Sequence, residues 1–335
     1  MNTDTKQHDG ADAGSRPELS LVMPVYNEEE SIGPLVERLE RLLDSLAGTA
    51  VEVIFVDDHS TDGTQALLRA VCQRDARYRH LRLARNSGSH VAILAGLEHA
   101  RGVCATFMAS DLQDPPELIP QMLKLWREGN HVVWAVRERR EGIPLVDRVF
   151  AGLFWFLLAR VGRVDLPPQG SDFALLDRAA IDALLISAGT HPSLAGEIAV
   201  LGFRQAQVPY TKARRQYGRG KWNLSRKLQA FADAFVSFSY VPLRAMSYLG
   251  MACSVLGFLY ALVVVMVRVF SSRKIEGWAS LMVVVLVLGG IQMTMLGVLG
   301  EYLWRTLSEA RRRPRYFLEE GHGYTAGGGD KPPAE

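Results

Sequence analysis

The chain is poor in cysteine. Its 335 residues hold three, Cys72, Cys104 and Cys253, far apart and odd in number. That excludes a disulfide framework and a cysteine-based zinc cluster, and points to a reducing compartment for the soluble part. Surplus charge is also lacking: 38 Lys and Arg against 36 Asp and Glu leave a net +2. A nucleic-acid binder would be more basic, so no nucleic-acid partner is expected. No Ser-His-Asp or Cys-His constellation stands out. Residues 1–17 are polar and lack an apolar core, so no secretory signal is expected there. They read as disordered, as does the Gly-rich tail after Glu320.

What the chain does have is apolar length. Tyr248–Val267 and Trp278–Gly300 carry no charge. Each has about 20 residues or more, enough for a helix to cross a bilayer core. A buried core helix is the alternative, and two such runs in succession argue against it. Arg273 and Lys274 lie in the short loop between them; Arg244 precedes the first run and Arg311–Arg315, "RRRPR", follows the second. Two spans put both ends on one side, and the basic run makes that side the cytoplasm. Arg268, Arg273 and Lys274 weaken the asymmetry without reversing it. The expectation is a multi-pass protein of the cytoplasmic membrane with its soluble part in the cytoplasm.

The soluble part alternates. "LSLVMPV" from Leu19 reads as a buried strand, and Glu29–Leu46 as an amphipathic helix with Ile32, Leu35, Val36, Leu39, Leu42 and Leu43 on one stripe. "VEVIFVDD", "HLRLA", "CATFMA" and "HVVWAV" read as four more strands. Helices are expected from Asp62-Gly63 to about Cys72, over Val91–Ala100, and from Pro115-Pro116-Glu117, where proline suits a first turn. Such alternation predicts an α/β domain with a mostly parallel sheet and helices on both faces. Ligands bind such sheets beyond the carboxyl ends of the strands. Polar clusters fall there: Tyr26-Asn27-Glu28, Asp57-Asp58, Arg85-Asn86, Asp111 to Asp114, and Arg137. An aspartate at one strand end is commonly a helix N-cap, the reading given to Asp62 and open for Asp114. Several polar ends converging on one edge make a ligand site.

The acidic stretch "FMASDLQDPPE" looks like a metal site, yet the position two before Asp111 holds Ala109 rather than a second carboxylate. From Leu145 the pattern changes, and "VFAGLFWFLLARVG" is apolar nearly all round. Further on, Leu224, Leu228, Phe231, Phe235 and Phe238 form one helical stripe. It fits either packing on the catalytic core or a helix lying in the membrane interface.

"LVMPVYNEEESI", "VDDHSTDGT", "ARNSGSHVAILAGLEHARG", "DLQDPPELIP", "GSDFALLDR" and "FVSFSYVPLRAMSYLG" resemble the polyprenyl-phosphate glycosyltransferases of glycosyltransferase family 2. That group includes dolichol-phosphate mannose synthases and bacterial undecaprenyl-phosphate glucosyl- and aminoarabinosyl-transferases. The likeness runs from about Leu19 to Tyr302. It implies a GT-A (Rossmann-like) catalytic domain, interface helices and two C-terminal transmembrane helices. The layout becomes a disordered N-terminus over 1–17, a GT-A domain over 18–220, interface helices over 221–244, two spans over 245–304, and a cytoplasmic tail over 305–335. It implies inverting transfer of a sugar from a nucleotide sugar to undecaprenyl phosphate, with UDP-glucose as the default donor and other UDP-sugars and GDP-mannose open. A divalent metal, Mg²⁺ or Mn²⁺, is implied as cofactor, and a homo-oligomer is left open.

By the same resemblance Pro24, Tyr26 and Glu28 line the nucleotide pocket, and Asp58 contacts base and ribose with Val56 behind it. Asp111 and Gln113 bind metal and diphosphate. Arg137, Arg215 and Lys221 bind the donor, and with Asp111 they form the catalytic set. The chain departs from the pattern at Ala109, at His59 where glycine is common, and in "HPSLAGEIAVLGF", where Ala195 and Glu197 stand in place of a usual arginine.

The chemistry fits what is missing. Breaking a sugar–diphosphate bond builds charge on the leaving group, which a cation or basic side chains must neutralise. A polyprenyl phosphate is already an anion, so no strong general base is needed. Arg148, Arg160, Lys212 and Arg226 are candidates for holding it, and none is assigned. The competing class is a non-catalytic, membrane-anchored relative that keeps the fold. A processive polysaccharide synthase would need more spans and a Q-x-x-R-W segment, and neither is visible.

Overall fold

The computed structural model describes residues 16–137, 173–189, 194–211, 241–270, 277–311 and 313–322. The chain divides into a sheet domain, which includes the C-terminal strand, and a unit of two long helices.

The sheet domain opens as the periodicity predicts. Strand β1 (Leu19–Val25) leads to helix α1 (Glu29–Ser45), then β2 (Val51–Asp57), α2 (Thr64–Arg74), β3 (Tyr78–Leu83), α3 (Ser89–Glu98) and β4 (Cys104–Phe107). A 3-10 turn at Pro116–Leu118 precedes α4 (Ile119–Arg127), and β5 (Val132–Arg137) follows. All six apolar residues expected on the α1 stripe are buried. Beyond these come β6 (Ala174–Asp177), α5 (Arg178–Ser187), α6 (Leu194–Val200), β7 (Gln205–Tyr210) and β8 (Leu318–His322).

The eight strands are ordered β7-β5-β6-β4-β1-β2-β3-β8. Strands β1 to β4 are mutually parallel, and β5 is parallel to β7. The sheet is therefore mostly parallel, as expected, with two exceptions that the alternation did not foretell. Strand β6 runs antiparallel between β4 and β5, and β8 runs antiparallel along the outer edge of β3. Both are short, four and five residues, which leaves little period-two pattern to read in a sequence.

The inner strands bury both faces. Leu21, Met23, Phe55 and Val133 pack on one side with Leu35, Leu39, Leu68 and Met122 from the helices there. Val22, Ile54, Val56 and Trp134 pack on the other with Leu94, Ile181 and Leu184. Each such side chain contributes roughly 1.5–3 kcal/mol of burial free energy. Helix α3 is buried from Val91 to Leu97, so it reads as apolar all round.

A buried ion pair pins the amino ends of the strands. Glu52 of β2 faces Arg79 of β3 at 2.5 Å and accepts hydrogen bonds from the Ser20 hydroxyl and the Arg101 amide, each at 2.6 Å. The carboxyl ends are left to the site.

The second unit holds α7 (Val241–Phe270) and α8 (Trp278–Ala310). The first extends beyond its uncharged run at both ends; the second starts with its run at Trp278 and ends later. Met246–Met266 and Val283–Ala310 are long and apolar enough to cross a membrane, and no part of either window is buried in protein. A core helix would be buried within the chain, and these windows are not. The expected interface stripe, Leu224 to Phe238, lies outside the described residues.

Gly96 is where α3 touches the sheet. A β-carbon there would overlap the Val22 side chain and sit 3.0 Å from Val56 Cγ2. Alanine favours a helix over glycine by about 1 kcal/mol, but overpacking a rigid core costs about 1–3 kcal/mol. Gly96→Ala is therefore expected to lower the thermal unfolding midpoint of the sheet domain, although the same change on an exposed helix would raise it.

Candidate active site

Every polar cluster expected at a strand end sits at the carboxyl edge of β1, β2, β3, β4 or β5. Three non-glycine residues there have left-handed backbones: Asn27 (φ 50°), His59 (φ 63°) and Leu112 (φ 61°). That conformation costs roughly 1–2 kcal/mol for an L-residue, and such strain gathers at functional sites. Each turn is held in compensation.

After β1, the Asn27 amide donates to Ser60 Oγ (2.9 Å), and its Oδ1 accepts from the Thr61 amide (2.8 Å). Glu28 is buried; its amide donates to Thr64 Oγ1 (3.0 Å) and its carboxylate accepts from the Ser31 hydroxyl. Tyr26 is half-buried beside them. The N-cap of α2 is Gly63, and Asp62 stands one residue before it. The Asp62 oxygens accept from the Thr64 amide (3.1 Å) and the Glu29 amide (3.4 Å), at the first turns of α2 and α1.

After β2, Asp57 is fully buried. One oxygen accepts from the Ser60 amide (2.8 Å), and the other faces Arg82, which also donates to the Ser60 carbonyl (3.2 Å). Asp58 is 3% exposed, and its oxygens accept from the amides of Ser87 (2.6 Å) and Gly88 (2.8 Å). Burial raises its carboxyl above the ordinary aspartate value even though both amides pull it down. Asp58 thus ties the turn after β2 to the turn after β3. Gly88, at φ 92°, takes a conformation that side chains avoid. Pro24 and Val56 are register partners on β1 and β2. His59, in the position where glycine is common, sets its ring against the Leu83 carbonyl (3.2 Å).

After β4, Ser110 donates to the Pro24 carbonyl (2.9 Å), which fixes the acidic segment against β1. The Gln113 backbone amide donates to Asp111 Oδ1 (3.2 Å), which closes a tight turn over the two residues expected as metal ligands. Arg38 of α1 grips Glu117 with two hydrogen bonds, of 2.8 and 2.7 Å, and reaches the Leu112 carbonyl. Among the described residues no three His, Cys, Asp or Glu side chains converge as a metal cluster. The segment offers one carboxylate and one amide oxygen. An oxygen-only pair fits Mg²⁺ or Mn²⁺ when phosphates and waters complete the shell.

Asp114 has a role that its sequence position did not disclose. It is fully buried and accepts from the Tyr210 hydroxyl (2.6 Å), while Arg137 Nε donates to the same hydroxyl (3.3 Å). Burial, then the Asp114 charge, push the Tyr210 phenol well above its usual value. Tyr210 ends β7, beside Arg137 in register. The signal for it was faint, since "QAQVPY" has no strand periodicity strong enough to be picked out. Arg215 and Lys221 lie outside the described residues, as do Arg148, Arg160, Lys212 and Arg226. Cys72 and Cys104 are buried, and burial pushes the Cys72 thiol up to about 11 and the Cys104 thiol higher still, so neither is a nucleophile at neutral pH.

The profile of glycosyl transferase family 2 matches residues 20–185, the stretch that carries these turns. The uncharacterized glycosyltransferase YkcC of Bacillus subtilis is 37% identical over 91% of this chain and 94% of its own length. The chain belongs to glycosyl transferase family 2. It is a glycosyltransferase with a GT-A fold. A prophage bactoprenol glucosyl transferase homolog of Escherichia coli is 32% identical over 90% of this chain and 98% of its own. A bactoprenol glucosyl transferase of Shigella flexneri is 32% identical over 91% and 98%. A second profile, the GtrB C-terminal hairpin, matches residues 241–305, which hold α7 and most of α8. Solved structures resemble the chain more loosely. Glucosyl-3-phosphoglycerate synthase of Mycobacterium tuberculosis has a TM-score of 0.44 at 22% identity, over 68% of this chain and 83% of that one. A mannosyltransferase of Pyrobaculum calidifontis has a TM-score of 0.44 at 20% identity, over 63% and 60%. These likenesses are too loose to transfer a residue's role.

In this glycosyltransferase the Asp114–Tyr210–Arg137 chain gives a test of the site's rigidity. Tyr210→Phe removes one donor from a buried carboxylate, a loss of about 1–3 kcal/mol. The expected outcome is a lower unfolding midpoint together with slower turnover, measured on the same preparation by calorimetry and product formation.

Proposed function

We propose that the protein transfers a hexose from a nucleotide sugar, with a UDP-sugar as the first choice, to undecaprenyl phosphate at the cytoplasmic face of the membrane. The observation that carries this reading is the joining of two features in one chain. A family 2 catalytic sheet, with its polar turns on the carboxyl edge, is followed by two exposed apolar helices that match the GtrB hairpin. The names of the bactoprenol glucosyl transferases that match along nearly the whole chain support the lipid acceptor.

In this reading Tyr26, Glu28, Asp58, Pro24 and Val56 form the nucleotide end of the pocket. Asp111 and Gln113 would hold Mg²⁺ or Mn²⁺ together with the diphosphate; when bound, the cation neutralises charge on the leaving group. Arg137, oriented by Tyr210, presents a guanidinium to the same charge, and Arg215 and Lys221 are assigned there by resemblance. One oxygen of the lipid phosphate attacks the anomeric carbon as the bond to the diphosphate oxygen breaks. A single displacement inverts the configuration. The nucleophile arrives as an anion, so no proton has to be removed and no general base is required.

In this reading both termini lie in the cytoplasm and residues 268–277 outside. A Ser272→Cys protein is expected to react with an impermeant thiol reagent added to intact cells, while tags at either terminus stay shielded. The reverse pattern refutes the orientation.

The activity is tested by incubating the purified protein with undecaprenyl phosphate and a panel of UDP- and GDP-sugars, then reading the lipid by mass spectrometry. One donor is expected to add a single hexose mass. No glycosylated lipid from any donor, under conditions where a bactoprenol glucosyl transferase works, favours a binding protein that has kept the fold. With the active donor, Asp111→Asn is expected to lose roughly a hundredfold or more in rate, the usual cost of a lost transition-state charge contact. Ala109→Asp is expected to keep most of it.

A further inference from the structure

The C-terminal strand is joined to the sheet by more than its ladder. Strand β8 lies antiparallel on β3 with a register shift, so that Arg82 faces Glu320 while the next residue, Leu83, faces Leu318. Glu319 is the extra residue of a bulge. In a regular strand Glu319 and Glu320 would point to opposite faces. The bulge removes that alternation, and both carboxylates reach the basic side of α2 and β3. Glu320 binds Arg69 and Gln65. Glu319 binds Arg82 Nε (2.9 Å) and lies 3.4 Å from His59 Nδ1.

Those two partners bear on the turn after β2, Arg82 from β3 and His59 from the turn itself. Arg82 grips Asp57 and the Ser60 carbonyl, and His59 follows Asp58 directly. Ser60 in turn receives the Asn27 amide from the turn after β1. One carboxylate from the end of the chain therefore bears on both turns that carry Tyr26, Glu28 and Asp58. The tail is anchored just before it as well. The Tyr316 hydroxyl donates to Glu98 (2.7 Å), and the Ala84 amide donates to the Phe317 carbonyl (2.8 Å).

We infer that β8 is a working part of the donor pocket and that Glu319 is a positioning residue, holding the β2–α2 turn in its nucleotide-binding shape through Arg82 and His59. The inference rests on the donor reading above. Glu319 is half-exposed, and an exposed ion pair adds little to global stability. Its removal is therefore expected to disturb the turn more than the fold. Glu320 gives an internal control, because it secures the same strand through α2 and touches none of the turn residues.

The test is isothermal titration of UDP, with Mn²⁺ present, into the full-length protein and its variants. Glu319→Gln is expected to weaken UDP on the order of threefold to tenfold. Glu319→Asp should recover most of the loss, and Glu320→Gln should bind as the wild type does. In turnover the donor KM rises for Glu319→Gln while kcat and the acceptor KM stay put, and the unfolding midpoints of all three variants agree. Equal UDP affinity in Glu319→Gln and wild type overturns the inference. An equal loss in Glu320→Gln also overturns it, since strand docking alone would then be responsible. If the wild type binds neither UDP nor GDP, the donor reading itself falls and the inference with it.

Discussion

The buried pair between Asp57 and Arg82 is the constraint on which the ligand edge depends. Asp57 is the last residue of β2 and is fully buried; Arg82 sits across from it on β3. Two charges are held out of water there, which is tolerable only with further hydrogen bonds to complete them. The Ser60 amide and carbonyl supply those bonds, so the pair dictates the path of the chain after Asp58. Breaking such a pair from one side costs about 3–5 kcal/mol. The turn therefore has little freedom to relax.

The same logic organises the whole edge. Each left-handed residue lies within two positions of a bond that ties its turn to another segment: Asn27 to Ser60, Asp58 to Ser87 and Gly88, Ser110 to Pro24 of β1. The turns brace one another instead of relying on their own hairpins. Opposite them, Glu52 and Arg79 close the amino ends of the strands, where no ligand is expected. The sheet is thus charged at both ends, with the amino end pinned and the carboxyl end held open around a polar rim.

Most of this was legible because it is local. Five strands, their helices and the α1 stripe follow from periods of two and 3.6, and the polar strand ends follow from where those periods stop. The start of α2 follows from the Asp62-Gly63 pair just before it. What escaped is long-range. Strand β6 follows a segment with no strand-helix rhythm, and β8 lies far along the chain from its partner β3. Tyr210 gains its importance only by meeting Asp114 across β5 and β7. His59 looked like a departure from a glycine pattern; the Leu83 carbonyl and Glu319 explain how a side chain is held there. Ala109 was visible at once, but its consequence depends on how few ligands Asp111 and Gln113 can muster together.

That last point carries the central proposal: a site with one carboxylate and one amide would hold its cation mainly through the donor's phosphates. The direct measurement is a Mn²⁺ titration of the purified protein, read by electron paramagnetic resonance, with and without UDP. The account predicts weak Mn²⁺ binding alone and markedly tighter binding once UDP is present, with the gain lost in Asp111→Asn. Equally tight Mn²⁺ binding without nucleotide, or a UDP-dependent gain that survives Asp111→Asn, contradicts it.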